Sequence, residues 1–431
     1  MQSLAIDTTL LKSLNQKIFN HPLWTMIAAF GCYFCVYGFR KPFTAGAYEG
    51  LSYLNISWKS LLISSQIFGY LISKAVGIFV VSSITHQKRV LAILASIAFA
   101  LLSLVGYAIC PAPYSLFFIF LNGLPLGMIF GYIQGFLEGK NKSEMFIAGL
   151  GSSFILADGF SKSIGSWLIT LNVPLQWMPF VAGILFLPFT LFFIWMLTKI
   201  PPPTASDINN RSKRDPMSQN DRKSFVHSFL LGILGISIIY LLASLLRGIR
   251  SDYALEIWNY LGVKNNPALF SQTESWVMAG ILLINGCLIF IKKNKFAFYI
   301  SLFTILVGFV CMVLCYLLRQ IHFSSFWLIV ISGFGIYLPY LTITSSIFER
   351  LIAITRAKAN VGFLMYIVDF VGYLGYNSLL ISSNLFFNKD LLITQFFNLN
   401  LYFGAIGIIM TYLSYLYFSK KFKQLKITID N

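Results

Sequence analysis

Charged side chains are scarce in this sequence. Only 11% of the 431 residues are Asp, Glu, Lys or Arg, whereas 57% are apolar and 42 are Phe. Soluble globular domains carry about 25% charged residues, so this composition excludes a soluble protein. The mean hydropathy of +0.74 predicts that most of the chain lies within a lipid bilayer.

Acidic residues are the scarcer of the two charge classes. The chain has 15 Asp and Glu against 32 Lys and Arg, which gives a net charge of +17. Nucleic-acid binding would require these cations in a hydrophilic patch. They lie mainly in short loops between apolar runs, as is typical of the cytoplasmic loops of membrane proteins. We therefore expect a lipid environment and no nucleic-acid partner.

Cysteine and histidine are also rare, with six Cys and four His. All six Cys fall inside or at the edge of apolar runs, which excludes a disulfide framework and a zinc site. Cys32 and Cys35 have redox-motif spacing, but the βαβ context of such motifs is missing. We find no nucleophile–base pair, metal-ligand cluster or nucleotide-binding loop. The sequence therefore predicts no enzyme activity, no metal and no cofactor.

Long apolar runs dominate what is present. A spanning helix needs about 20 predominantly apolar residues. The first apolar run follows Lys12, Lys17 and Pro22 and has no cleavage site, so we expect it to be a span rather than a signal peptide. The sequence predicts an all-α membrane protein with twelve transmembrane helices at 23–40, 60–84, 90–110, 114–136, 145–170, 177–198, 226–247, 274–291, 296–318, 325–348, 360–384 and 398–418.

The longest polar stretch divides the twelve runs into two sets of six. We predict a first half at 1–198, a basic linker at 199–225 and a second half with a tail at 226–431. Two similar six-helix halves around a site near the midplane are the plan of the major facilitator fold.

The basic residues also predict an orientation. With the N-terminus inside, 22 of the 32 Lys and Arg lie on the cytoplasmic side, as the positive-inside rule requires. We therefore expect a multi-pass protein of the cell inner membrane, monomeric, with both termini in the cytoplasm.

Charges inside the apolar runs mark candidate functional residues, because each costs at least ~2.5–3.5 kcal/mol at the helix centre. Lys74 could bind substrate or form a structural ion pair. Asp158 and Lys162 are four residues apart, so they share a helix face and could neutralise each other. Asp369 could carry a proton or pair with a cation of another helix. Further basic residues lie near the ends of their runs: Arg40, Lys41, Arg247 and Arg250.

The excess of cations predicts an anionic substrate. Arg40 and Arg247 close the first run of each half, so both could point at one cavity, where guanidinium groups bind phosphate or carboxylate bidentately. Tyr33 and Tyr37 precede Arg40 by seven and three residues and share its face. They could donate hydrogen bonds to the anion or form a packed aromatic stripe, and Arg40 and Lys41 could be interfacial anchors.

Several motifs resemble the organophosphate:phosphate antiporter family of the major facilitator superfamily, which includes the glycerol-3-phosphate and hexose-phosphate transporters. The matching segments are Tyr33 to Phe43, Gly69 to Lys74, Leu245 to Arg247 with Asp252 and Trp258, Gly333 to Pro339, and Gly372 to Gly375. The resemblance implies phosphate-binding arginines at Arg40 and Arg247, accessory lysines at Lys41 and Lys74, and substrate-facing tyrosines at Tyr33 and Tyr37.

Other positions depart from that family. Its helix-five histidine has no counterpart, and Asp158 and Lys162 occupy the region instead. The loop between helices two and three, which carries an Asp-Arg-x-x-Arg type motif in the superfamily, is reduced here to Thr85 to Arg89. Asp369 and Arg250 look like additions. The segment from Ile200 to Met217 is similar to a group of bacterial membrane proteins with this fold and no assigned substrate.

The sequence thus predicts a transporter that exchanges a small phosphorylated metabolite for inorganic phosphate by alternating access. Two other functions stay open. The protein could be a proton-coupled symporter of another organic anion, with Asp158 or Asp369 as proton carrier. It could also be a transport-inactive sensor of a phosphorylated sugar.

Overall fold

A computed structural model describes residues 18–84, 86–137, 143–201, 219–263, 266–355, 361–386 and 391–430. Helices form most of this part of the chain, and twelve of them have fifteen or more residues. They are α1 (Pro22–Val36), α2 (Trp58–Ser83), α3 (His86–Ile109), α4 (Ser115–Leu137), α5 (Ser143–Thr170), α6 (Met178–Thr198), α7 (Gln219–Asp252), α8 (Ala268–Ile289), α9 (Asn294–Gln320), α10 (Ser325–Thr342), α11 (Val361–Phe386) and α12 (Phe396–Asp430). The predicted all-α membrane fold is confirmed.

The helices differ in how apolar they are. Within the described residues, nine helices are long and apolar enough to cross a membrane. The three long helices outside that group are α2, α5 and α8, which carry Lys74, Asp158 and Glu274. These three helices therefore hold charges that face the protein interior rather than lipid.

The same helix pairs recur in the two halves. α1 packs along α5 and α6, and α4 packs along α2 and α3. In the second half α7 packs along α11 and α12, and α10 packs along α8 and α9. The halves meet where α5 contacts α8 and where α2 contacts α11. Adding six to each helix number converts one half's contacts into the other's, as an internal repeat requires.

The predicted linker at 199–225 can be compared with the structure only at its ends, because residues 202–218 lie outside the described residues. Four lysines that lie between apolar runs in the sequence are also outside the described residues: Lys140, Lys142, Lys264 and Lys389. α7 begins at Gln219, inside the predicted linker, and bends at Phe229, whose backbone is not helical. The division into 1–198, 199–225 and 226–431 stays a prediction.

Several helix boundaries differ from the sequence expectation, those of α1, α7, α8, α10 and α12 among them. α1 ends at Val36 and continues as short 3₁₀ turns at Tyr37–Phe39 and Pro42–Ala45, because Pro42 cannot donate the backbone hydrogen bond that a longer helix needs. α7 continues past the predicted end at 247 to Asp252, because Arg250 and Asp252 find buried partners and need not leave the bilayer.

The chain alternates between two sides of the bundle. We call the side where α1 begins and α12 ends the proximal side, and the side where α1 ends and α2 begins the distal side. A two-stranded hairpin, β1 (Ser52–Tyr53) with β2 (Ile56–Ser57), precedes α2 on the distal side. The short helix Ala254–Tyr260 follows α7 on the same side. The predicted cytoplasmic face corresponds to the proximal side.

Two glycines allow α2 and α4 to touch through their backbones. A Cβ atom at Gly69 would lie 2.3 Å from the carbonyl oxygen of Phe120, and one at Gly123 would lie 2.3 Å from that of Gln66. Real Cβ atoms do not approach so closely, so only glycine permits this packing. The Gln66 side chain also donates to Asn122 Oδ1 at 2.9 Å, which fixes the two helices in one register.

Candidate functional site

A cavity of about 290 Å³ lies between the two halves. It is lined by α1, α2, α4 and α5 from one half and by α7, α8, α11 and the α10 region from the other. Its lining runs from Tyr37 and Arg247, near the middle of the bundle, to Met145 and Gly286, near the proximal ends of their helices. The cavity therefore reaches from mid-membrane toward the proximal side.

Polar contacts join the halves on the distal side of this cavity. Lys59 Nζ lies 2.6 and 2.8 Å from the two carboxylate oxygens of Glu256. Ser163 Oγ donates to the Pro267 carbonyl at 2.6 Å and accepts from the Ser271 amide at 3.2 Å. These contacts connect α2 with the helix after α7, and α5 with α8. The structure is thus closed distally.

Arg40 and Arg247 have aromatic neighbours instead of carboxylates. Arg40 Cζ lies 4.0 Å from the ring centroid of Tyr70, and Arg247 Cζ lies 4.7 Å from that of Tyr340. Among the described residues neither forms an ion pair, and the Nε atom of each is buried without a hydrogen-bond partner. Arg40 is only 5% exposed. Neither guanidinium group is therefore paired with a carboxylate of the described residues, although Arg40 is buried and the Nε atom of each has no partner.

The two arginines lie on either side of one small space. Arg40, Arg247 and Tyr373 line a cavity of about 20 Å³ beside the larger one, together with the Lys41–Asp252 ion pair. Arg247 and Tyr373 line both cavities, whereas Arg40 lies behind Tyr37 and Tyr70 and does not line the larger one. The structure therefore brings the two predicted arginines together, with Arg40 one side-chain layer deeper than the sequence suggested.

The other buried cations each have a carboxylate. Lys41 pairs with Asp252, Lys162 with Asp158, and Arg250 with Glu274. Burying a charge is costly unless the charge is paired. In these three pairs the carboxylate of the protein neutralises the cation. The predicted Asp158–Lys162 pair is present. Lys41 lies 3.9 Å from Asp158, so it belongs to the same charge cluster and does not line the large cavity.

Lys74 and Asp369 form an ion pair across the large cavity. Lys74 Nζ lies 3.4 Å from Asp369 Oδ2, and the Tyr240 hydroxyl donates to Asp369 Oδ1. Lys74 belongs to α2 and Asp369 to α11, so the pair connects the halves. The sequence did not identify the partner of Asp369. In the structure that partner is Lys74, which the sequence predicted to bind substrate.

Tyrosines surround the arginines. The predicted Tyr33 and Tyr37 line the large cavity. Sequence reasoning assigned no site role to four further lining tyrosines, although two of them lie in the quoted motifs: Tyr70, Tyr340, Tyr366 and Tyr373. Three of them had a signal in the sequence, since Tyr70 lies four residues from Lys74, and Tyr366 and Tyr373 lie three and four from Asp369, on the same helix faces.

The residue types that bind metals do not cluster in the described part of the chain. No group of three His, Cys, Asp or Glu residues there could hold a metal ion. Cys32 and Cys35 are buried free thiols in α1. Ser73 lines the cavity beside Lys74 with a hydroxyl that has no partner. The site can bind an anion through guanidinium, ammonium and hydroxyl donors.

A family model described as a family of unknown function, DUF5690, matches residues 42–421. The chain belongs to this family. No curated protein sequence matches this DUF5690 member.

Solved structures show what fold the DUF5690 chain has. A D-xylose-proton symporter matches with a TM-score of 0.61 and 12% identity, over 90% of this chain and 96% of that one. A mutant POT peptide transporter in complex with sulfate matches with a TM-score of 0.63, and one in complex with alafosfalin with 0.62, each at 12% identity over 94% and 95% of the two chains. At this identity the likeness shows the fold alone. The predicted major facilitator fold is confirmed, whereas the resemblance to the organophosphate:phosphate antiporters is not.

Proposed function

We propose that this protein is a membrane transporter that works by alternating access on a small anionic, phosphorylated metabolite, in exchange for inorganic phosphate. The observation that carries the proposal is the pair Arg40 and Arg247, one from each half and both without a carboxylate. A ligand anion would supply the charge that the chain itself does not.

The chemistry of the two side chains favours a phosphate group. Each guanidinium presents a planar fork of donors that matches phosphate oxygens bidentately. A phosphate monoester carries about two negative charges near neutral pH, which balances two arginines. Tyr37, Tyr70 and Ser73 offer further hydroxyl donors in the large cavity, which Arg247 also lines. The POT peptide transporter in complex with sulfate is a protein of this fold with a bound tetrahedral anion.

The arrangement also suggests why transport would be an exchange. The empty site holds two uncompensated positive charges on opposite halves, so a state that occludes the empty site would bury both without an anion. Burying an unpaired charge is unfavourable, whereas a bound anion bridges the halves and removes the penalty. Occlusion, and therefore turnover, would then require an anion in both directions.

Proton-coupled symport of another organic anion is the second candidate. The observation that favours it is Asp369, a carboxylate in the cavity wall that an incoming anion could release from Lys74. The D-xylose-proton symporter shares the fold. Asp158 is a weaker proton carrier because it is 3% exposed and already paired with Lys162. A sensor that binds but does not transport is the third candidate.

The test measures phosphate binding and exchange with purified protein. Arg40→Lys and Arg247→Lys keep the charge but remove the fork, and a charge-assisted hydrogen bond contributes about 1.5–3 kcal/mol. Each variant should therefore bind phosphate roughly ten- to hundredfold more weakly. The double variant should lose less than the sum, because both residues hold one ligand. The matched control is Arg319→Lys, at the distal end of α9 beside Phe397.

Transport in proteoliposomes separates the three candidates. Exchange predicts uptake of labelled phosphate only into vesicles loaded with phosphate or a phosphate ester. Symport predicts uptake into empty vesicles driven by a proton gradient and abolished in Asp369→Asn. Binding without any uptake identifies a sensor. Unchanged phosphate affinity in both arginine variants would contradict the anion site itself.

A further inference from the structure

The proximal part of the large cavity differs chemically from the arginine end. Five apolar side chains line it within about two helical turns of the proximal helix ends, and we call them the apolar mouth: Met26, Met145, Ile147, Leu282 and Met365. With Met128 deeper in the cavity, four of the eleven Met in the chain line this one space. Methionine is flexible and polarisable, and it is common where a surface accepts apolar groups of variable shape.

Several polar residues of the same region are already engaged. Thr344 Oγ1 donates to the Leu341 carbonyl at 3.1 Å, and Ser345 Oγ donates to the same carbonyl at 2.7 Å. Thr342 Oγ1 donates to Asn285 Oδ1 at 3.1 Å. These hydroxyls bond within the protein, so Thr344 and Ser345 present mainly carbon atoms to the cavity. Gln134 and Asn285 also line this part of the cavity, and their amide groups are the polar partners that it offers a ligand.

The two ends are far enough apart to bind different parts of one molecule. Met365 and Tyr373 both line the cavity from α11, eight residues apart, which corresponds to about 12 Å along a helix. The volume of about 290 Å³ is also roughly twenty times the ~10–15 Å³ that a cavity needs to hold one water. A bare phosphate at the arginines would leave the mouth empty.

We propose that the substrate is an amphiphilic organic phosphate, whose phosphate binds between Arg40 and Arg247 while an apolar chain or ring lies against the apolar mouth. This inference rests on the proposed function and specifies its substrate class. It distinguishes alkyl or aryl phosphates from phosphates of sugars and other polyols.

The experiment compares a ligand series on the purified protein by calorimetry. The probes are inorganic phosphate, methyl, butyl and hexyl phosphate, with glycerol phosphate and glucose phosphate as polar comparators. Burial of one methylene stabilises a complex by an amount equivalent to about fourfold in affinity. Affinity should therefore rise by up to about fourfold per methylene along the alkyl series, and the polar comparators should bind no better than methyl phosphate.

A variant of the mouth shows where the chain lies. Gly286 lines the cavity on α8, and a Cβ atom there would meet nothing within 4 Å. Gly286→Leu should fill part of the mouth and remove most of the gain of hexyl over methyl phosphate, with unchanged affinity for inorganic phosphate. Gly286→Ala, the matched control, should keep the gain. Met365→Gln provides a second route, because a polar wall should reduce the gain without filling space.

The outcomes separate the two proposals. Phosphate binding with a flat alkyl series, or stronger binding of the polar comparators, would overturn the amphiphile and leave the anion site standing. An equal alkyl gain in wild type, Gly286→Leu and Met365→Gln would place the chain outside the mouth and also overturn it. No binding of any phosphate, inorganic phosphate included, would refute the proposed function.

Discussion

Asp158→Asn should destabilise the protein, because Asp158 belongs to a buried chain of four alternating charges. The order is Lys162, Asp158, Lys41 and Asp252, with ion pairs at the two ends and 3.9 Å between Lys41 Nζ and Asp158. Ser251 Oγ donates to Asp158 at 2.8 Å, and Asp158 and Lys162 are 3% and 2% exposed. The four charges sum to zero, and the cluster joins the two halves.

The magnitude follows from what the substitution leaves behind. Asn has the shape of Asp and can still accept from Ser251, so the packing stays the same while Lys162 loses its counter-charge. Breaking a buried pair on one side costs about 3–5 kcal/mol. With an unfolding entropy of roughly 2 cal/mol/K per residue, this corresponds to a fall in the unfolding midpoint of about 3–6 °C for a chain of this length.

The double variant Asp158→Asn with Lys162→Gln tests the reasoning. It removes both charges and leaves the Lys41–Asp252 pair intact, so most of the lost stability should return. Thermal unfolding in detergent, followed by tryptophan fluorescence, measures all three proteins. Glu49→Gln, which removes one exposed negative charge on the distal side, is the control and should leave the midpoint unchanged. A single variant as stable as wild type, or a double variant no better than the single one, would refute the ion-pair account; a stable single variant without transport would instead indicate a proton carrier.

Two further predictions concern the two sides of the bundle. Ser163→Cys with Ser271→Cys should form a disulfide on oxidation, since Ser163 Oγ lies 3.2 Å from the Ser271 amide nitrogen. The bond should hold the distal side closed and stop exchange until a reductant is added, and Ser163→Cys alone is the control. Undiminished transport by the cross-linked protein would contradict the role of this contact. A reporter fused at Lys213 should be cytoplasmic and one fused at Leu392 should be outside, because the basic loops favour that orientation. The opposite pattern would mean that the distal side, not the proximal side, faces the cytoplasm.

The helices were largely predictable from the sequence, but some of their ends were not. Hydropathy treats a charge as the point where a helix leaves the bilayer, so it ended the seventh run at Arg247 and began the eighth at Glu274. In the structure Arg250 and Glu274 neutralise each other between α7 and α8, and both helices continue through these positions. A contact between residues 24 positions apart on different helices cannot be read from either run alone.

The sequence likewise identified some features of the candidate site and could not show others. The sequence identified Arg40, Arg247 and Lys74 because a charge inside an apolar run is conspicuous. It could not show that Lys74 is paired with Asp369, 295 residues away, whereas the two arginines are not paired. Tyr340 escaped notice because an aromatic residue in an apolar helix is ordinary until a guanidinium is found over its ring. Whether these residues bind substrate stays a prediction.

The backbone contact between α2 and α4 has a consequence for how selectivity could change. Gly69 and Gly123 set the separation of these helices, and α2 carries Tyr70, Ser73 and Lys74 along the cavity wall. A methyl group added at Gly123, which does not line the cavity, would have to push α2 away from α4 and carry that wall inward with it. A substitution at a residue outside the lining could thus alter the width of the cavity while every lining side chain stays the same.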